Sequence, residues 1–370
     1  MAATPPAIAP TIAATAREYL AAYPPTHTLL LSFGDLVVEV WTNSRALFER
    51  LAFYFGGFLI ENRTPAVAVY ALETPAIPPD RIEAPLAARE PEPGKTRVKE
   101  EWADVADGRV VRKRLTGMAF LFGAGMHLAL GPCEANDNQV VNFINNRYIE
   151  YRLRQGCLLF HAAGVCRGGK GLALAGFAGM GKSTLALHAM TRGDAATTFV
   201  SNDRLMVGRA GAGLHMHGVA KMPRINPGTV LNNPALAPVI SDEERTRFAT
   251  LPIDELWGLE HKYDGFIDQC YGPGRFALSA HMTGLVLLNW RRGGGDMRME
   301  PVDLRTRPDL MPAFMKQAGL FYAPEQDALA VAGDMDPGAY LDLLGDCPVF
   351  ELSGGVDFHG AADRCLELLA

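Results

Sequence analysis

A glycine-rich segment in the middle of the chain has the spacing of a phosphate-binding loop. Residues 176–183 read Gly-Phe-Ala-Gly-Met-Gly-Lys-Ser and fit the pattern G-x-x-x-x-G-K-S. Glycines let backbone N–H groups converge on an anion, the following helix N-terminus adds partial positive charge, and the lysine reaches the β- and γ-phosphates of a nucleotide. The alternative is a tight turn that binds nothing, but every consensus residue is present, which favours a nucleotide site. The residues predicted to bind it are Gly176, Gly179, Met180, Gly181, Lys182, Ser183 and Thr184.

A carboxylate that could hold a metal ion follows the next predicted strand. Asp203 comes directly after an apolar run, 21 residues beyond Lys182. Nucleotide-binding loops of this kind use a serine hydroxyl and a strand-end aspartate as ligands of Mg²⁺. We therefore predict Ser183 and Asp203 as the metal ligands. The alternative is an ordinary aspartate in a turn.

A histidine precedes Lys182 by the same number of residues. His161 lies 21 residues before Lys182, in an apolar stretch predicted to be a strand. Taken alone, a single histidine in such a strand is more often a core residue than a functional one. The spacing leaves both interpretations open.

Residues 157–208 resemble the catalytic domain of bacterial HPr kinase/phosphorylase. The resemblance covers the stretch from His161 through Gly164, the Gly168 to Gly171 turn, the glycine-rich loop and the helix after it. In that family the histidine-to-lysine spacing is the same, and a strand ending in Ala-Asp-Asp follows the helix. The resemblance is weak outside these residues.

The resemblance implies roles for the matching residues. Lys182 and the loop glycines would hold the phosphates of ATP, and Ser183 would bind Mg²⁺. His161 would sit beside the transferred phosphoryl group, as a catalytic residue together with Lys182 and Asp203. Asp203 matches the second acid of the family's pair.

Two departures from the family pattern bear on activity. Asn202 stands in place of the first acid, and an amide cannot act as a base. The family's Leu-Glu-x-Arg-Gly stretch is absent, and residues 219–228 read Val-Ala-Lys-Met-Pro-Arg-Ile-Asn-Pro-Gly, which is similar to the HPr-kinase-related kinases. Lys221 and Arg224 in this stretch are predicted to clamp γ-phosphate charge or an acidic substrate. The alternative is a solvated turn.

The elements that would position these residues alternate between strand and helix. The runs at 158–166, 171–175 and 197–201 are predicted strands, and residues 182–192 form a predicted helix between the last two. With the resemblance, this predicts an α/β fold, a P-loop kinase domain of the HPr kinase/PEP carboxykinase-like type. We place it at residues 134–370, opening with a helix at 136–155.

Residues 1–133 are predicted to form a β-rich N-terminal lobe. A hairpin is predicted at 28–41 and an antiparallel meander at 98–130. The proline-rich segment near 74–95 is predicted to be an extended, exposed connector, because its proline density excludes a regular helix or a central strand.

Composition limits the class of protein. The chain has 370 residues, of which 48% are hydrophobic and 21% charged, and this composition argues against disorder. Its net charge of −6 argues against a broad surface for binding nucleic acid or a membrane. It shows no basic, apolar leader and no apolar run long enough to span a membrane, so we predict a cytoplasmic protein. The six scattered cysteines form no C-x-x-C pair and predict reduced thiols.

The predicted activity is Mg-ATP-dependent phosphoryl transfer to a hydroxyl of an unidentified protein or small-molecule acceptor, with ATP and Mg²⁺ as cofactors and no nucleic-acid or membrane partner. One alternative is a nucleotide-binding regulatory or scaffold protein with little or no transfer, which Asn202 favours. A P-loop NTPase coupled to motion ranks last, and a homo-oligomer is left open.

Overall fold

A computed structural model describes residues 5–91, 96–211, 213–252, 255–256, 259, 261–322 and 335–370. The chain is a mixed α/β protein with two compact units. Unit 1 contains Met1–Tyr151 and Ala318–Leu329, and unit 2 contains Arg152–Gln317 and Ala330–Ala370.

Unit 1 is built on one sheet with the strand order β1-β2-β3-β8-β7-β6-β5-β4. Strand β3 pairs in parallel with β2 and β8, and the other neighbours are antiparallel. The strands are β1 (His27–Phe33), β2 (Leu36–Thr42), β3 (Val67–Glu73), β4 (Ala87–Ala88), β5 (Glu100–Val105), β6 (Gly108–Lys113), β7 (Ala119–Gly123) and β8 (Met126–Gly131), and the helices are α1 (Ile12–Ala22), α2 (Arg45–Tyr54) and α3 (Asp137–Arg154).

The predicted hairpin and meander are confirmed by β1–β2 and by β5 to β8. The proline-rich segment is irregular apart from a short 3₁₀ turn and the two-residue strand β4 at the sheet edge. Its predicted exposure is wrong for Ile77 and Ile82, which are buried in a cluster with Ile12 and Tyr19 of α1. Residues 92–95 of this segment lie outside the described residues.

The boundary between the units differs from the predicted one at 133/134. The α3 residue Phe143 packs against Phe120 and Phe122 of β7, with ring centroids 5.0 and 6.2 Å apart. Farther along α3, Tyr148 packs against Phe33 of β1 at 5.5 Å. Most of α3 therefore covers the sheet of unit 1. Helical periodicity in the sequence indicates an apolar face but does not say which sheet that face covers.

Unit 2 is also built on one large sheet, with the path β12-β10-β11-β17-β14-β13-β9. Strand β17 pairs in parallel with both β11 and β19, and β18 adds to β19. Its strands are β9 (Leu158–Phe160), β10 (Ala162–Arg167), β11 (Lys170–Gly176), β12 (Thr197–Ser201), β13 (Leu205–Ala210), β14 (Gly213–His217), β15 (Arg224–Ile225), β16 (Tyr263–Asp264), β17 (Ser279–Leu288), β18 (Arg298–Pro301) and β19 (Val349–Ser353). Its further helices are α4 (Lys182–Arg192), α5 (Pro227–Leu231), α6 (Asp242–Ala249), α7 (Ile267–Tyr271), α8 (Pro337–Leu344) and α9 (Phe358–Leu368).

Helix α4 buries its apolar side chains and packs against α9. Leu185, Ala186 and Ala189 of α4 are fully buried. On the α9 side, Arg192 forms an ion pair with Asp363, with Nη2 and Oδ2 2.6 Å apart. The order β11, α4, β12 confirms the predicted strand, helix, strand sequence, with α4 at the predicted bounds.

One predicted strand is wrong. The run 158–166 is two strands, β9 and β10, which meet at His161. Strand β9 pairs with β13, whereas β10 pairs with β11 and β12, so the chain changes partners at this residue. Within the described ranges, no helix is both long and apolar enough to cross a membrane.

Candidate functional site

The glycine-rich loop joins β11 to α4. Strand β11 ends at Gly176 and α4 begins at Lys182, so the loop occupies the five residues between them. Gly179 and Gly181 have φ values of 82° and 87°, in the left-handed region that glycine adopts without strain. The sequence places glycine where this backbone requires it.

Two aromatic side chains contact the backbone of the loop. The indole Nε1 of Trp290 donates to the carbonyl oxygen of Met180 at 2.9 Å. The Phe358 ring lies so close to Gly181 that a Cβ there would be 2.5 Å from Cζ. The Trp290 and Phe358 rings meet nearly at right angles, with centroids 5.0 Å apart. We call Trp290 and Phe358 the aromatic brace. The sequence analysis did not find it, because these residues follow the loop by more than 100 positions.

Three strand ends meet where the loop begins. Ala162, the first residue of β10, pairs with Ala175 near the end of β11. Farther along β10, Gly164 pairs with Ser201, the last residue of β12. Strand β10 is antiparallel to both neighbours, so its start lies beside their ends. This topology brings His161, the glycine-rich loop and the turn at 202–204 to one edge of the sheet.

His161 and Asp203 are in direct contact at this edge. Nε2 of His161 lies 2.9 Å from Oδ1 of Asp203, and the two side chains are 29% and 49% exposed. The backbone N–H of His161 donates to the carbonyl oxygen of Phe314 at 2.7 Å. His161 is therefore not in the core position that the apolar stretch first indicates.

Positive charges surround the Asp203 carboxylate. Burial alone would raise its pKa, but the hydrogen bond from His161 and the charges of Lys316 and Arg204 bring the pKa of Asp203 down to about 2. The nearest guanidinium atom, Nε of Arg204, is 4.0 Å from Oδ2. Asp203 is therefore ionised at neutral pH. Lys316 and Arg204 were not among the predicted site residues.

The loop lysine is folded back onto its own loop. Nζ of Lys182 donates to the carbonyl oxygen of Gly176 at 2.7 Å, and the residue is only 8% exposed. Burial lowers the pKa of Lys182, the Asp203 carboxylate raises it and the charge of Lys316 lowers it further. Burial has already removed much of the water around this ammonium. Binding an anion therefore requires little further desolvation of Lys182.

Ser183 and Thr184 lie in the first turn of α4. The Thr184 hydroxyl is within 3.1 Å of the hydroxyl of Thr229, a buried residue of α5 that the sequence analysis did not find. The Ser183 hydroxyl and the Asp203 carboxylate are oxygen groups of the type that Mg²⁺ prefers. The oxygens present thus suit a hard cation.

Lys221 and Arg224, the residues predicted to clamp charge, have different neighbours in the structure. Gly218 packs so tightly against the end of β12 that a Cβ there would be 1.9 Å from the Val200 carbonyl oxygen. Burial and the Arg204 charge lower the pKa of Lys221, and the Asp203 charge raises it. Arg224 is instead engaged with β16: its Nε is 3.8 Å from Oδ1 of Asp264. Lys221 thus lies within electrostatic range of Asp203, and Arg224 contacts Asp264 of β16 and the carbonyl oxygen of Lys262.

Asn202 is placed beside Asp203 in the turn after β12. Its side-chain oxygen Oδ1 is buried and has no hydrogen-bond partner among the described residues. An amide there cannot take up a proton.

No protein-family model matches the sequence, and no curated protein matches it. Sixty-five chains of solved structures match this chain, among them the Hpr(Ser) kinase/phosphatase from Coxiella burnetii. That match has a TM-score of 0.27 and 12% sequence identity, and covers 57% of this chain and 87% of the other. The relationship is distant: a TM-score this low transfers neither activity nor residue roles, so the roles proposed below rest on the geometry of this chain.

Proposed function

We propose that this chain is a Mg-ATP-dependent phosphotransferase that moves the γ-phosphoryl group of ATP to a hydroxyl of a protein or small-molecule acceptor. The observation that carries this proposal is the 2.9 Å contact between His161 and Asp203 at the sheet edge where the glycine-rich loop begins. A protein that only binds a nucleotide needs the loop. Transfer also needs a group that takes the proton of the acceptor, placed beside the phosphates.

The phosphates of ATP would be held by the backbone N–H groups of the loop and by the Lys182 ammonium. Ser183 and Asp203 would hold Mg²⁺, which when bound neutralises charge on the transferred phosphoryl group. In the part of the chain that the structure describes, no group of three His, Cys, Asp or Glu side chains could hold a metal ion. A metal here would therefore depend on oxygens of the nucleotide, as is usual for Mg²⁺.

His161 would act as the base. With Nε2–H donated to Asp203, the lone pair of the ring is on Nδ1, and Asp203 stabilises the cation that forms on protonation. The proton of the acceptor hydroxyl moves to Nδ1 as the acceptor oxygen bonds to the γ-phosphorus. The bond from that phosphorus to the bridging oxygen breaks, and ADP leaves.

A second candidate is a nucleotide-binding regulatory or scaffold protein. Asn202 favours it, because an amide with a buried, unpartnered oxygen occupies a position next to the metal carboxylate where an acid could have served as base.

The test is to incubate the purified protein with γ-labelled ATP and a fractionated extract of its host. Label on a protein band or on a small metabolite supports the transferase. Label only in free phosphate indicates an NTPase, and nucleotide binding without either product indicates the regulatory or scaffold protein.

Two variants accompany this assay. Lys182→Ala should lose nucleotide affinity by about tenfold or more, because the charge on the β- and γ-phosphates is removed. Lys170→Ala is the matched control, since this exposed lysine lies at the opposite end of β11, about 20 Å from Gly176. If calorimetry gives both variants the affinity of the wild type, the loop does not bind the nucleotide.

A further inference from the structure

Lys316 reaches the site from a remote part of the sequence. The residue before it, Met315, forms an isolated antiparallel bridge with Phe160. One residue earlier, the carbonyl oxygen of Phe314 accepts the backbone N–H of His161. The segment that carries Lys316 therefore runs alongside the junction of β9 and β10, where His161 lies.

A buried tyrosine fixes the backbone of Lys316. The hydroxyl of Tyr340 accepts the N–H of Lys316 at 3.2 Å and donates to the Leu159 carbonyl oxygen at 2.6 Å. The Tyr340 ring packs against Phe160 and Phe314, with centroids 5.1 and 5.8 Å away. These contacts fix the backbone of Lys316, which reduces the entropic cost when its side chain binds a ligand.

The charge of Lys316 acts on both key groups of the site. Against the effect of burial, the His161 hydrogen bond and then the Lys316 charge lower the pKa of Asp203. Burial, and to a smaller extent Lys316, lowers the pKa of Lys182. Lys316 follows Phe314, whose carbonyl oxygen accepts the His161 N–H, by two residues, and this position agrees with an effect on the His161–Asp203 pair, since the interaction decreases with distance. Lys182 and Lys316 repel each other, and a bound anion relieves that repulsion.

We propose that Lys316 contacts the terminal phosphate of a bound nucleoside triphosphate and makes the site discriminate a triphosphate from a diphosphate. This inference rests on the proposed function. The loop amides and Lys182 serve phosphates that both nucleotides possess. The terminal phosphate is the one that must lie beside His161 and Asp203 for transfer, and Lys316 borders those residues.

The test compares two affinities and needs no acceptor. Calorimetry with Mg²⁺ measures the binding of ADP and of the β,γ-imido analogue of ATP. Lys316→Met should weaken the triphosphate analogue by about tenfold or more, the scale of a lost charge-assisted hydrogen bond, and ADP by less than about twofold. Lys316→Arg should keep both affinities within about threefold. Lys170→Met, which removes an exposed lysine at the far end of β11, should change neither.

Equal weakening of both nucleotides by Lys316→Met would overturn the inference, and so would unchanged binding of both. A lower melting temperature with equal losses would make Lys316 a structural residue, which also contradicts it. If the wild type binds neither nucleotide, the proposed function fails as well. If the wild type binds both, Lys182→Ala loses both and Lys316→Met loses neither, the inference alone is wrong.

Discussion

The contact between His161 and Asp203 depends on a change of strand partners at both residues. His161 is the single residue between β9 and β10, and Asp203 lies in the turn between β12 and β13. Strand β9 pairs with β13 and β10 pairs with β12, so the two connections face each other. Residues outside regular pairing at the edge of a rigid sheet are well placed for chemistry, because their side chains are accessible while their backbones are held.

His161→Ala tests the role of this contact. We expect phosphoryl transfer to decrease on the order of a hundredfold, the usual effect of losing a general base, while ATP affinity stays within about twofold. The melting temperature should hardly change, because both side chains are partly exposed and a contact of this kind contributes little to stability. Turnover, calorimetry and melting are measured on the same preparation.

The control for this variant is His281→Ala. His281 is an exposed histidine in β17 that pairs with Lys170, at the end of β11 opposite the glycine-rich loop. It should transfer phosphate at the wild-type rate. If His161→Ala melts at a lower temperature but keeps its activity per folded molecule, His161 is a structural residue.

Among the elements, the segment from β11 to α4 was the most predictable from sequence. Its glycines, its lysine and the periodicity of α4 lie within one window, and the observed bounds of α4 match the predicted ones. The junction at His161 was not predictable, because one polar residue in an apolar run does not show that the strands on either side pair with different neighbours. The aromatic brace and Lys316 were missed for a related reason: each acts across more than 100 residues of sequence.

The aromatic brace leaves no room for a side chain at Gly181. Gly179 and Gly181 both have positive φ, but only Gly181 is in contact with Phe358. We expect Gly179→Ala to lower the free energy of unfolding by about 1 kcal/mol through backbone strain alone. Gly181→Ala should cost about 2–4 kcal/mol, because its new methyl group must also displace the Phe358 ring.

Urea unfolding of the two variants measures this difference. For Gly179→Ala, a Cβ would meet no atom of the described residues within 4 Å, so this variant isolates the strain. Equal losses of stability in the two variants would show that Phe358 yields without cost and does not brace the loop.

At the scale of the whole molecule, the sequence predicted two β-containing parts but not their boundary. Unit 1 takes in most of α3 and also residues that follow Gln317. Phe321, for example, packs against Phe120 of β7, with ring centroids 5.4 Å apart. Such a return of the chain leaves no local signal, because composition and periodicity describe each segment but not its neighbours in space.

Stability of unit 2 should depend on pH through His188 of α4. This residue is 3% exposed, and its ring stacks on Phe358 with centroids 5.5 Å apart. Burial, and then the positive charges of His359 and Arg192, lowers the pKa of His188 from its ordinary 6.5 to about 4. The folded state therefore holds His188 neutral, whereas the unfolded chain takes up a proton below about pH 6.5.

Because the unfolded state binds more protons between pH 6.5 and 4, acidification through this range destabilises the fold, and the effect is absent above it. From pH 7.5 to 5.0 we expect the free energy of unfolding to decrease by about 2 kcal/mol because of this residue.

Hydrogen exchange of the α4 amides at both pH values measures the opening free energy of this unit, after correction for the intrinsic exchange rate. His188→Gln cannot titrate in this range, so its loss between the two pH values should be smaller than that of the wild type by about the same 2 kcal/mol. If both proteins lose the same amount, His188 is not the group that titrates.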